Sequence, residues 1–186
     1  MTFKNIFIAF ILLAMFSFAP TIQAQYIEGP KSSHISKSKV DYGELSQKLG
    51  IQINERDSAN LNLYSTAADW LGVRYKWGGS SRASGVDCSG FTSVMYHLLY
   101  NENIDHSSST LSKSVPVTIN STANLKPGDM VFFATSKRHS NINHVGIYLK
   151  DGFFVHASSA RGKVMISTLL EGFYKSAWRK GGRLSN

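Results

Sequence analysis

The chain predicts an α+β fold in which helices come first and an antiparallel set of strands comes after them. Helical periodicity dominates up to about residue 100, short β-branched and aromatic runs dominate after residue 129, and glycine-rich turns separate the two. The composition agrees: 186 residues, 42% hydrophobic and 17% charged, is too apolar for a disordered chain, and there is no collagen-like period, sustained heptad or internal repeat. One compact domain is expected. A single cysteine excludes an internal disulfide and a thiolate zinc site, so the thiol acts without a cysteine partner.

Met1 to Ala24 opens with Lys4, runs uncharged from Ile6 to Phe16 and closes with Ile22-Gln23-Ala24. That is the form of a cleavable secretory signal. As a membrane anchor the apolar run falls short of the roughly 18–20 residues a spanning helix needs. No cysteine lies near the cut, so lipid attachment is excluded, and the expected product is an exported, soluble monomer. Its charge would be +7, the +8 of the full chain less Lys4. The Lys and Arg residues are scattered along the sequence and form no basic run, which argues against nucleic acid as a partner and suits an acidic polymer such as cell wall.

The elements come in order. Residues 25–58 read as a serine-containing leader with a short helical piece around Leu45 and Leu49 that ends at Gly50, ahead of a catalytic domain at 59–186. Leu63, Ala67, Trp70 and Leu71 have helical spacing and predict a helix ending at Gly72. A glycine-rich stretch, Tyr75 to Asp87, comes next. Phe91, Val94, Met95, Leu98 and Leu99 mark Ser89–Tyr100 as an amphipathic helix with that face buried. Strands are predicted at Met130–Phe133, His144–Leu149, Phe153–Ala157 and Val164–Thr168.

Cys88 stands at the start of the Ser89–Tyr100 helix, where unpaired N–H groups and the positive end of the macrodipole favour a thiolate and are expected to lower its pKa. An unpaired thiol in an exported protein calls for burial or for use. Tyr75, or a backbone N–H near it, is placed to face a developing oxyanion. Among six histidines, His34, His97, His106 and His139 lie in leader, helix-end or loop sequence, whereas His144 and His156 put titratable rings into otherwise apolar strands. A two-residue Asp151-Gly152 turn would set these two rings on opposite faces. A three-residue Lys150-Asp151-Gly152 loop sets them on one face as diagonal neighbours, roughly 7–8 Å apart at the backbone. The three-residue loop is therefore expected. His144 would then take the thiol proton and His156 would orient it, giving acyl transfer through a thioester.

Five strings carry a resemblance: Tyr75-Lys76-Trp77-Gly78-Gly79, Asp87-Cys88-Ser89-Gly90-Phe91, Leu125 to Phe133, His144-Val145-Gly146-Ile147-Tyr148 and His156-Ala157. In that order and spacing the chain from about Leu61 to Arg183 resembles the NlpC family of papain-like cell-wall cysteine peptidases. The resemblance implies a papain-like α+β fold and a Cys88, His144, His156 triad. It also implies Tyr75 at the oxyanion site, and Asp87 and Ser89 binding the substrate's amine or carboxylate. No metal or cofactor is implied. The implied substrate is the peptidoglycan stem peptide, cut between D-glutamate and the diamino acid or in a cross-bridge. Residues 25–59 are too short for the wall-binding or SH3-like modules that many members carry. Rival readings fit less well. A non-catalytic wall-binding module would have lost Cys88 or a histidine. A related acyltransferase would place its histidine ahead of its cysteine. A metal hydrolase lacks a third ligand at motif spacing unless Asp129 serves.

Overall fold

A six-stranded antiparallel sheet in the order β3-β8-β4-β5-β6-β7 organises the structure, a computed structural model that describes residues 41–136 and 140–184. The expected signal segment, the leader up to residue 40, His34 and His139 lie outside the described residues. The described part opens with α1 (Tyr42–Leu49), started by the Asp41 side chain accepting from Glu44 N and ended by Gly50 in the left-handed region. Next come α2 (Leu61–Trp70), a small ribbon of β1 (Ser80–Ser81) and β2 (Gly85–Val86), α3 (Cys88–Tyr100) and α4 (Ser108–Ser114). The strands are β3 (Val117–Ile119), β4 (Met130–Phe133), β5 (His144–Lys150), β6 (Phe153–Ser158), β7 (Lys163–Thr168) and β8 (Trp178–Arg183), with α5 (Gly172–Ala177) before β8. Among the described residues no helix is long and apolar enough to cross a membrane.

Both faces of the sheet are covered, which is why Met130–Phe133 is buried at every position. On one face Met130, Phe132, Val145, Ile147 and Val155 pack with Leu63, Ala67 and Trp70 of α2 and Phe91 and Met95 of α3. On the other, Val131, Phe133, Tyr148 and Phe154 pack with Leu169 and Ala177. Leu49, Ile51 and Ile53 belong to the first cluster. Residues 42–53, set apart in the sequence as an extension, thus share one core with α2, α3 and the sheet.

Three expectations change. The buried face of α3 is wider than its apolar stripe: Ser89, Thr92, Ser93 and Tyr96 are buried, while Leu98 is 51% exposed. The helix is gripped by the loop after it, where Ser93 Oγ donates to Ile104 O and Ser89 Oγ to His106 O, so polar residues are buried with partners. The β5–β6 hairpin does not use a three-residue loop. Asp151 (φ 49°) and Gly152 (φ 80°) form a two-residue turn between Lys150 and Phe153, and a bulge between Tyr148 and Lys150 then shifts the register. The bulge restores the parity that the short turn would have lost, and His144 and His156 end on one face. Lastly, β8, whose sequence is Trp-Arg-Lys-Gly-Gly-Arg, lies in the middle of the sheet between β3 and β4. Its glycines permit the pairing, since a Cβ at Gly182 would lie 2.7 Å from Val115 Cγ2.

The start of α3 approaches the glycine-rich loop so closely that a Cβ at Gly90 would run into the Gly79 carbonyl oxygen. Gly90→Ala would gain up to about 1 kcal/mol in helix propensity but must displace backbone, at a cost of about 1–3 kcal/mol. The variant is expected to be less stable in thermal or denaturant unfolding; an unchanged midpoint would show that the two segments separate freely.

Candidate active site

Asp87 builds the position of the Cys88 thiol. It is the N-cap of α3, with Oδ1 accepting from Gly90 N at 2.7 Å, while Oδ2 accepts from Gly78 N at 2.8 Å. One carboxylate thus ties the glycine loop to the helix start, and Cys88 is the first residue of α3. Its thiol is half-buried. The backbone N–H groups of Val145, Ser89 and Cys88 itself favour the thiolate.

Burial outweighs those N–H groups and pushes the Cys88 thiol up to about 11, with the Asp87 charge adding to the rise. The expectation of a lowered pKa is therefore corrected: the macrodipole acts, but loss of solvent is larger. The thiol is neutral at rest.

Both histidines are buried on the β5 and β6 strands, and His144 Nε2 lies 2.8 Å from His156 Nδ1. His156 Nε2 lies 3.0 Å from Ser167 Oγ on β7. A base acting through His144 Nδ1 needs its proton on Nε2, donated to His156 Nδ1; His156 then carries its proton on Nε2 and donates it to Ser167. The chain of three side chains thus leaves His144 Nδ1 as the ring nitrogen outside it. Burial lowers His144 to about 4, against a smaller raising effect of Asp87, and drives His156 well below the ordinary histidine value, with His144 adding to that fall. The resting site is a neutral thiol beside neutral imidazoles.

Of the other expected residues, Tyr75 is half-buried, and burial raises its phenol, with Cys88 and then Asp87 adding to the rise. Ser89 is buried, its hydroxyl 2.7 Å from His106 O and 3.0 Å from Asp87 Oδ1. Asp129, the carboxylate a metal reading would need, is bound by Arg183 at 2.6 and 2.7 Å. Among the described residues no cluster of three or more His, Cys, Asp or Glu is arranged to hold a metal ion.

Two site residues have no counterpart among those expected from the sequence. Ser167 lies opposite Phe154 in the β6–β7 register, on the face of His156, so strand parity carried one hairpin beyond β5–β6 leads to it. Tyr174 of α5 had no such signal. Its ring stacks over His144 at 6.0 Å and 27°, meets His156 edge-on at 4.9 Å, and completes an aromatic wall with Phe133 and Phe154 at 5.1 Å each.

The sequence pattern of the NlpC/P60 family matches residues 72–183, the stretch that holds this geometry. The chain belongs to the NlpC/P60 family. A murein DD-endopeptidase MepS/murein LD-carboxypeptidase of Escherichia coli (strain K12) is 32% identical over 159 residues, 84% of this chain and 75% of that protein. A gamma-DL-glutamyl hydrolase of Bacillus subtilis (strain 168) is 31% identical over 171 residues, 84% of this chain and 40% of the hydrolase. An NlpC/P60 family protein from Bacillus cereus ATCC 10987 superposes with a TM-score of 0.59 at 31% identity, over 66% of this chain and 39% of that one. This chain therefore spans less than half of the Bacillus proteins. The NlpC/P60 match takes in all of α3 and the strands β4 to β8, and with them Tyr75, Asp87, Cys88, Ser89, His144 and His156.

The buried histidines make stability pH-dependent. Their folded pKa values lie below the unfolded value of 6.5, so between pH 6.5 and about 4 the unfolded chain binds more protons than the folded one. Stability conferred above pH 6.5 is lost as pH falls through that window, by about 3 kcal/mol for His144. Denaturant unfolding at pH 7 and pH 4.5 should show it; equal stabilities would mean the rings are solvated. Tyr174→Ala is expected to flatten the acid loss, because water admitted to the rings brings their folded pKa values back toward 6.5, whereas Tyr174→Phe keeps the wall and with it the acid loss.

Proposed function

We propose that the protein is an exported peptidoglycan endopeptidase that cleaves stem peptides through a Cys88 thioester. It is a cysteine peptidase of the NlpC/P60 family. The observation that supports the mechanism is the chain His144 Nε2, His156 Nδ1, His156 Nε2, Ser167 Oγ, together with a Cys88 thiol that feels the N–H of Val145, the residue after His144. The substrate class rests on relatives named as murein endopeptidase and gamma-DL-glutamyl hydrolase, and on the motifs at Tyr75, Cys88, His144 and His156.

In the reaction His144 Nδ1 takes the thiol proton as sulfur attacks the scissile carbonyl. Because burial opposes each charge alone, thiolate and imidazolium arise together, as one neutral proton transfer. His156 steadies the imidazolium by accepting from its Nε2–H and need not carry charge itself. The carbonyl oxygen becomes an oxyanion toward the α3 N-terminus, where the Cys88 and Ser89 N–H groups and the Tyr75 phenol are available. His144 protonates the leaving amine, and water then attacks the thioester with His144 as base. Asp87 keeps lone-pair capacity for a substrate amine, and Ser89 acts on substrate through Asp87. Residues 1–24 serve as the export signal, removed after Ala24, and the product works outside the cytoplasm as a soluble monomer.

Digestion of purified peptidoglycan by the full chain should release soluble peptides, and Cys88→Ala should release none. Product masses distinguish a cut beside D-glutamate from a cut in a cross-bridge. Equal release by both proteins would remove Cys88 as the nucleophile. The base must be neutral to act, so kcat/KM is expected to hold as pH falls and to drop only near pH 4, where His144 gains its proton. An acid limb at pH 6.5 would mean that His144 is solvated in the free enzyme.

A further inference from the structure

The scattered cations of the sequence are not scattered in space. Residues 70–86 contain Arg74, Lys76 and Arg82 and no acid, and residues 152–170 contain Arg161 and Lys163 and no acid. The fold joins these two segments beyond β7, the edge strand of the sheet. Val164 N donates to Val73 O at 2.8 Å, Gly72 N to Val164 O at 3.0 Å and Tyr75 N to Gly162 O at 2.7 Å, which sets Arg74 opposite Lys163. Arg74, Lys76, Arg161 and Lys163 are all exposed, and none pairs with a carboxylate among the described residues. Arg82 is different, since its guanidinium lies over the Trp70 ring at 5.8 Å.

Trp77 closes the strip at its inner end. Its indole is 86% exposed, the most exposed large apolar side chain among the described residues. The backbone under it is held firmly: Gly78 N donates to Asp87, Gly79 N to Lys76 O at 2.9 Å, and Asp87 N to Gly79 O at 3.0 Å. A rigid turn that presents an indole to water leaves apolar area uncovered and ready to be covered. A flat aromatic face suits the C–H face of a sugar ring, and unpaired cations beside it suit carboxylates. A polymer of sugars bearing carboxylated peptides offers both at once.

We infer that Trp77, with Arg74, Lys76, Arg161 and Lys163, forms a docking strip for polymeric peptidoglycan beside the cleft. In it Trp77 stacks on a saccharide ring and the cations meet stem-peptide carboxylates. This rests on the proposed substrate and deepens it: the strip holds intact wall, while the thiol site cuts one peptide. The attraction is between exposed charges, so it is screened by salt.

Pelleting of the full chain with purified, insoluble peptidoglycan tests the strip, read in the Cys88→Ala background so that cleavage does not intervene. Binding is expected to fall with rising salt. Lys76→Glu with Lys163→Glu should weaken it about tenfold and flatten the salt dependence. Trp77→Ala should weaken it several-fold with the salt dependence kept. In the Cys88 background, both variants should hydrolyse a soluble stem peptide with unchanged kcat/KM. Pelleting unaffected by either variant, parallel loss of soluble-peptide hydrolysis, or equal capture by duplex DNA or anionic lipid vesicles would each overturn the strip. If the unaltered protein cleaves no stem peptide, the proposed reaction fails, and the pelleting result still decides the strip.

Discussion

The Asp87 carboxylate is the contact on which the site depends. It accepts from Gly78 N and Gly90 N, and so locks a glycine loop to a helix start around one point. A carboxylate that accepts several hydrogen bonds holds its partners more firmly than neutral groups would. Cys88 is the next residue and inherits that rigidity. Glycine at 90 is the steric condition for that meeting, because the Gly79 carbonyl stands where a side chain would be, and glycine at 79 lets the loop fold back on its own Gly85 backbone. Fold and chemistry share these atoms, so the loop cannot drift without moving the sulfur.

Around that point the structure keeps the reactive groups uncharged. Phe133, Phe154 and Tyr174 wall the imidazoles, and the Cys88 residue is half-buried. Burial raises the thiol and lowers the bases, so a standing ion pair is disfavoured, and hydrogen bonding orients what charge would otherwise orient. In place of a carboxylate, His156 stands between His144 and Ser167 at hydrogen-bonding distance from both. An uncharged resting site also protects a lone thiol, because oxidation proceeds through the thiolate. Charge is instead kept at the protein's edge, beyond β7, where water solvates it and a polymer can reach it.

Much of this was legible along the chain. The helix before Gly50, the helix beginning at Cys88 and the four apolar strands are local matters of period, cap and turn, and their residues lie where the sequence puts them. The shared face of His144 and His156 was legible too, though through the wrong loop: the count of residues between the strands was right in its effect, while a bulge at Tyr148–Lys150 supplied the odd residue. A bulge has no residue signature as clear as that of an Asp-Gly turn. Strand β8 escaped because two glycines and three cations oppose strand propensity, and only contact with Val115 and Leu125 makes glycine the residue that fits.

The sequence by itself determined the kinds of groups present and their local posture: one thiol on a capped helix start, two imidazoles in apolar strands, and glycines where backbone had to pass backbone. These are set by rules that reach only a few residues. The tertiary structure alone decided the protonation balance, the place of Ser167 and Tyr174, and the gathering of cations from two distant segments. Each of those depends on what stands across the sheet and on how much water remains, and neither is set by neighbours in the chain.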